Sequence, residues 1–167
     1  MGREFAILSA GTLPWTLALT SIALGALMMA GADVDARVYL LPDTITFSTL
    51  ACGILAALVL EPFDPWHAAA GALARAAGTA GVLAAVRFGY ARLKGEEGIG
   101  LGDVKLAAGV GAWLPLEHIP VCFALATGAA LLYAFHARRI RRTSRIPFGA
   151  FLCPALWLAF YAGVVAA

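Results

Sequence analysis

Charge is scarce in this chain. Only 13% of its 167 residues are Asp, Glu, Lys or Arg, while 62% are hydrophobic. A soluble domain carries about 25% charged and about 45–50% apolar residues, so a water-facing fold is excluded and a membrane protein is expected. Cysteine is sparse too. Cys52, Cys122 and Cys153 stand alone with no CxxC pair, which argues against a zinc site or a thiol redox motif and reads them as small buried hydrophobes. Gly98, Gly100 and Gly102 follow no strand, so they make no phosphate-binding turn. No metal, no cofactor and no nucleic-acid partner is expected. Met1-Gly2 leads into no myristoylation motif, because Ala6 stands where Ser or Thr is needed.

Long apolar runs are abundant. Stretches near 20 residues in length predict helices at roughly 12–32, 44–62, 67–90, 102–115, 117–136 and 147–166. The expected fold is all-α, a polytopic bundle of about six transmembrane helices forming a single membrane domain over residues 1–167. The fourth run is the shortest and ends at Pro115, so it is either half-buried or continues with a kink. Ala30-Gly31-Ala32 resembles a signal-peptidase site. The apolar stretch before it is longer than the 7–15 residues, roughly, of a signal core, and Arg3 and Glu4 cancel, so a retained helix is expected.

Arg37, Arg87, Arg92, Lys94, Lys105, Arg138, Arg139, Arg141, Arg142 and Arg145 fall on one side of these segments, and only Arg3 on the other. Basic loops stay cytoplasmic, so both termini are expected to be non-cytoplasmic. The Arg138–Arg145 cluster reads as a topology determinant in contact with membrane lipid. Trp66, Trp113, His67 and His118 stand where interfacial anchors are expected. Arg75 lies inside the third segment, where it must snorkel or meet a buried acceptor. The Gly- and Ala-rich stretch from Ala68 to Ala85 reads as close-packing scaffold.

Acids at the ends of apolar segments are the informative exception. Asp103 follows Gly100-Leu101-Gly102 and precedes Val104-Lys105-Leu106 at the mouth of the fourth segment. Taken alone it reads as a helix N-cap. Asp43, after Pro42, reads more firmly as the cap of the second helix. Asp33 and Asp35 sit at the C-terminal end of the first helix, where the macrodipole disfavours an acid. Asp35 is therefore harder to dismiss as a cap, and Arg37 is expected to offset some of its charge. If Asp35 and Asp103 meet in the bundle, they cannot both ionise readily. One proton is then shared, and a water between them is activated as in an aspartic protease.

Three motifs in order resemble the bacterial type IV prepilin leader peptidases, polytopic aspartic proteases of the GxGD class. They are Asp35 eight positions before Asp43 of Leu41-Pro42-Asp43, the run Glu97-Gly98-Ile99-Gly100-Leu101-Gly102-Asp103-Val104-Lys105-Leu106, and Ile146-Pro147-Phe148-Gly149. The resemblance implies Asp35 and Asp103 as the catalytic pair. It gives supporting roles to Asp43, Gly100, Gly102, Lys105, Pro147, Phe148 and Gly149. It also implies prepilin or pseudopilin substrates cut at the cytoplasmic face of the bacterial inner membrane, after a short basic leader ending in Gly. Glu96 and Glu97 are placed to attract that leader or simply to face solvent.

Departures from the family pattern are visible. Longer members carry a cytoplasmic domain with paired cysteines and N-methylate the new terminus; neither is expected here. Ala150 stands where Pro is usual, and the segment from Asp43 to Asp103 is slightly long; neither departure is expected to touch the two acids. The alternative reading is a proton-coupled transporter or channel component using the same acids. Against it, the acids lie at helix ends, and no inverted repeat is evident.

Overall fold

Inside hydrocarbon every backbone amide needs a partner, and an α-helix supplies one within its own segment. The computed structural model describes residues 14–61, 63–95, 98–136 and 147–165. Among these it shows six helices: α1 (Pro14–Val38), α2 (Asp43–Leu60), α3 (Pro65–Lys94), α4 (Leu101–Trp113), α5 (Ile119–His136) and α6 (Phe148–Val165). The all-α architecture and the number of helices match the expectation from apolar runs. α1, α2, α3 and α5 are each long and apolar enough to cross a membrane, consistent with a multi-pass membrane protein.

Helix ends differ from the predicted ones for identifiable reasons. α1 does not stop near residue 32 but runs to Val38. Asp33 and Arg37 form an exposed i,i+4 pair at 2.8 Å, which suits a helix surface. Tyr39 then ends the helix in the left-handed region (φ 56°), and its N–H donates to the Asp35 carbonyl at 2.9 Å, the αL form of helix termination. α3 begins two residues earlier than predicted because Asp64 caps it, accepting the His67 N–H at 3.3 Å, with Pro65 in the first helical turn. α4 has 13 residues and ends before Pro115, with no kinked continuation.

The buried faces of α2, α3 and α5 are made mostly of small side chains at helical spacing. α2 buries Thr46, Thr49, Gly53 and Ala56; α3 buries Ala69, Ala72 and Ala76; α5 buries Ile119, Cys122, Ala126 and Ala130. Such faces let helices approach closely in a bundle. α4 is enclosed on several sides, with Val104, Leu106, Ala107 and Val110 through Trp113 all buried. Gly109 rests on Thr49 of α2, and Gly111 rests on the Arg75 carbonyl of α3, leaving no room for a Cβ at either position. The Arg75 Nε donates to the Gly111 carbonyl at 3.3 Å, so the intramembrane arginine meets a buried acceptor on α4.

Trp113 corrects an expectation. Rather than anchoring at the interface, it is 8% exposed, donates Nε1–H to the Thr49 carbonyl at 2.9 Å and meets Phe160 of α6 edge-on at 5.2 Å. Its hydrogen bond satisfies the indole inside the bundle, where an unpaired N–H would be costly. Trp66, by contrast, is exposed as expected.

Packing divides the helices into two groups. α2, α3 and α4 pack tightly together, and α1 and α5 each pack against α6, while α1 with α2 and α4 with α6 make the sparser seam between the groups. The C-terminal end of α1 and the N-terminal ends of α2, α4 and α6 share one end of the bundle, as Lys105–Asp43, Ala150–Asp35 and Gly102–Leu41 contacts show. Asp33, Asp35, Asp43 and Asp103 all lie at that end.

Candidate active site

Asp35 occupies the last turn of α1, two residues after Asp33, and faces inward, so that only 5% of it is exposed. Its carboxylate is seated on the start of α6. Oδ2 accepts the Ala150 N–H at 2.8 Å, and the Gly149 amide also bonds the carboxylate. The first turn of a helix has free N–H groups and a positive dipole end. What the end of α1 withholds from an acid, the start of α6 therefore supplies.

Asp103 comes from the opposite group of helices. It is in the first turn of α4, whose N-cap is Gly100, so Asp103 is not the N-cap it resembles in sequence. Instead its carboxylate reaches back and accepts the Gly100 N–H, the return contact of a capping box. Gly100 has an ordinary extended backbone (φ −66°, ψ 147°); it needs to be small because a Cβ there would lie 3.2 Å from Asp103 Oδ2. Gly102 faces Leu41, which a Cβ would meet at 3.1 Å, and so lets α4 close on the segment joining α1 to α2.

Gly149 is where the two acids converge. A Cβ at this glycine would lie 2.9 Å from Asp35 Oδ2 and 3.4 Å from Asp103 Oδ1. Both carboxylates thus border the same small space, and Asp35 is close enough for its charge to act on Asp103.

The other sequence candidates take defined places. Pro147 precedes α6, whose first residue is Phe148, and the turn they open presents the Gly149 and Ala150 amides. Asp43 is the first residue of α2 and makes no side-chain cap; the N-cap position is Pro42. Its carboxylate instead pairs with Lys105 Nζ at 2.5 Å, and the same ammonium lies 5.7 Å from the Phe47 ring. Arg37 pairs with Asp33, not with Asp35 as expected, because a four-residue step places it over Asp33 on the exposed face.

The departure at Ala150 does touch an acid, contrary to expectation. Proline has no N–H, so it could not make the bond that Ala150 makes to Asp35. Nothing in the spacing of the motif announces this contact, which spans 115 positions of sequence. Arg87 was likewise legible only as a topology signal. In the structure its Nη1 donates to the Ile99 carbonyl at 2.5 Å, in the loop that leads to Asp103. Arg3, Glu96, Glu97, Ile146 and the Arg138–Arg145 cluster lie outside the described residues.

Comparison with known proteins points the same way as the motifs. A family model for the type IV leader peptidase family matches residues 22–135. The chain is 36% identical over 155 residues to a prepilin leader peptidase/N-methyltransferase of Burkholderia pseudomallei, a match covering 87% of this chain and 48% of that protein. It is 32% identical over 151 residues to a protein of the same name from Aeromonas hydrophila, covering 87% of this chain and 50% of the relative. It is 34% identical over 125 residues to leader peptidase HopD of Escherichia coli, covering 72% of this chain and 78% of that one. The chain spans about half the length of the first two relatives. No solved structure matches it significantly.

Proposed function

The chain belongs to the type IV leader peptidase family, and from that membership and the convergence of Asp35 with Asp103 we infer that it is a membrane aspartic endopeptidase. Its substrates are prepilin- or pseudopilin-like proteins, cut between a short basic leader and the apolar helix that follows. The observation that carries this reading is the space beside Gly149, bordered by both carboxylates.

The chemistry follows from one shared proton. The ionised carboxylate takes a proton from a water held between the acids, and the water oxygen bonds to the scissile carbonyl carbon. The protonated carboxyl hydrogen-bonds the carbonyl oxygen as negative charge develops there. Collapse of the tetrahedral intermediate breaks the C–N bond, and the amine leaves with a proton from the dyad. Asp35 and Asp103 carry this step; the first turn of α6 and the Gly100–Gly102 segment hold them in place.

Position in the membrane supports the substrate class. Arg37, Arg87, Arg92, Lys94 and Lys105 belong to helix segments at the end that holds the acids, and basic residues mark the cytoplasmic side. The site then opens at the inner rim of the bacterial inner membrane, where water is available and the leader of an inserted substrate is presented. Prepilin-type substrates also fit the names of the related proteins.

The test is to incubate the purified chain, in liposomes, with a prepilin that carries a basic leader ending in Gly. Cleavage directly after that Gly is expected. An intact substrate together with proton flux across the liposome membrane would overturn this reading in favour of a transporter.

A further inference from the structure

Arg87 is a cation on α3, and its guanidinium donates to a backbone carbonyl in the loop that leads to α4. The carbonyl belongs to Ile99, and the carbonyl of residue 99 and the N–H of residue 100 are two ends of one rigid, planar peptide unit. The Gly100 end of that unit faces Asp103, whose Oδ2 lies so close that a Cβ on Gly100 would be 3.2 Å from it. One charged side chain and one carboxylate therefore grip opposite ends of the same peptide.

We propose that Arg87 is a positioning residue for Asp103, acting through the Ile99–Gly100 peptide: the guanidinium holds the carbonyl, and the N–H of the same unit is thereby aimed at the Asp103 carboxylate. Two effects follow. The peptide plane cannot rotate without breaking a charge-assisted bond, so the direction of the Gly100 N–H is fixed. Pulling electron density towards the carbonyl oxygen also strengthens the N–H as a donor, because bonds in a chain polarise one another.

A second contact on the same helix sets the height of the loop. Gly98 lies flat on the Tyr90 ring, where a Cβ would come within 2.6 Å of a ring carbon. The last two turns of α3 thus hold the loop at Gly98 and at Ile99, while Leu41 closes on Gly102 from the other side. Asp103 is aimed by α3 although no side chain of α3 needs to touch it.

The inference deepens the peptidase reading and rests on it for its catalytic meaning, but the relay itself has a readout independent of activity. Among the described residues, the other charged or titratable groups near Asp103 are Asp35 on α1, Cys153 on α6 and the Asp43–Lys105 pair between α2 and α4. None of them is altered by a change at Arg87. The experiment follows the Asp103 carboxyl band by infrared difference spectroscopy across a pH series. The full chain is compared with Arg87→Met and Arg87→Lys, and Asp103→Asn identifies the band.

With the relay, Arg87→Met moves the Asp103 titration to higher pH, because the ionised form loses support, and Arg87→Lys restores most of the shift. Leader cleavage by Arg87→Met falls roughly ten-fold in kcat with KM unchanged, the scale of one charge-assisted hydrogen bond. An Asp103 titration identical in the parent chain and both variants would overturn the relay. If Arg87→Met fails to fold, the Arg87→Lys variant alone decides: a lysine cannot reproduce the guanidinium fork, so a small shift upward is expected and none would overturn the proposal. Cleavage that persists in Asp103→Asn defeats the peptidase reading and leaves the infrared result standing on its own.

Discussion

Asp35 Oδ2 accepts the Ala150 N–H at 2.8 Å, so the last turn of α1 and the first turn of α6 are joined through one carboxylate. This contact lies within one of the two helix groups, and Asp103 approaches from the other group, across the sparse seam. The site is thus assembled from three helix ends, two of them N-termini whose amides suit anions. A bundle that opened along the seam would separate the acids without unfolding any helix.

Gly149 is the position most sensitive to a single added carbon. In Gly149→Ala the new methyl would enter the space that both carboxylates border. Helix propensity favours alanine here, so the variant should fold at least as well as the parent. Leader cleavage should nevertheless fall by about 100-fold, the cost of a misplacement near 1 Å in a reacting group. Steady-state kinetics beside a thermal melt in detergent checks both halves.

Ala150→Pro removes one of the backbone donors to Asp35 while leaving the Gly149 amide in place. Proline is tolerated in the first turn of a helix, so folding should be unaffected. A hydrogen bond to a charged group contributes about 1.5–3 kcal/mol; with one donor remaining, a fall of roughly ten-fold in kcat is expected. Unchanged kinetics would show that the Gly149 amide alone orients the acid.

The Asp43–Lys105 pair should matter little, despite its place in the family motif. Asp43 is 63% exposed and Lys105 31%, and ion pairs in such surroundings contribute below about 1 kcal/mol. Asp43→Asn and Lys105→Met should each retain most of the cleavage rate. A double-mutant cycle on unfolding should give a coupling under about 1 kcal/mol.

Glycines that look alike in sequence should differ sharply in the bundle. At Gly111 a Cβ would run into the Arg75 backbone, whereas at Gly128 it would meet nothing within 4 Å. Gly111→Ala should force α3 and α4 apart and destabilise the protein by about 1–3 kcal/mol. Gly128→Ala should be neutral or slightly stabilising, because alanine narrows the unfolded ensemble. Unfolding in mixed micelles distinguishes the two.

Much of this architecture is legible in the sequence, because apolar runs of spanning length leave few alternatives to helices. The two acids stand out for the same reason: carboxylates at the ends of apolar segments need a cause. Hydropathy, however, marks where lipid ends and not where a helix ends. It stops α1 near residue 32, while the Asp33–Arg37 pair and the Tyr39 termination carry the helix to Val38. That extra turn and a half is what brings Asp35 onto the helix proper.

Long-range contacts were not legible. Trp113 reads as an interfacial residue until Thr49 is found beneath its indole. Ala150 meets Asp35 through its own amide and Arg87 meets the Ile99 carbonyl, and a backbone donor or acceptor leaves no mark in residue identity. Asp43 looks like a cap by position, but its partner Lys105 lies 62 positions on. In each case the residue type was visible and the partner was not.

The central claim is that Asp35 and Asp103 work as one pair beside Gly149. Its most direct test is single-turnover cleavage of a prepilin by the purified chain, by Asp35→Asn and by Asp103→Asn, with insertion and folding verified for each. Leader removal is expected from the parent chain, with a loss of at least about 1,000-fold in both variants, since residues acting as a unit fail together. Substantial cleavage by Asp103→Asn, or by Asp35→Asn when Asp33→Asn is inactive, would contradict the account.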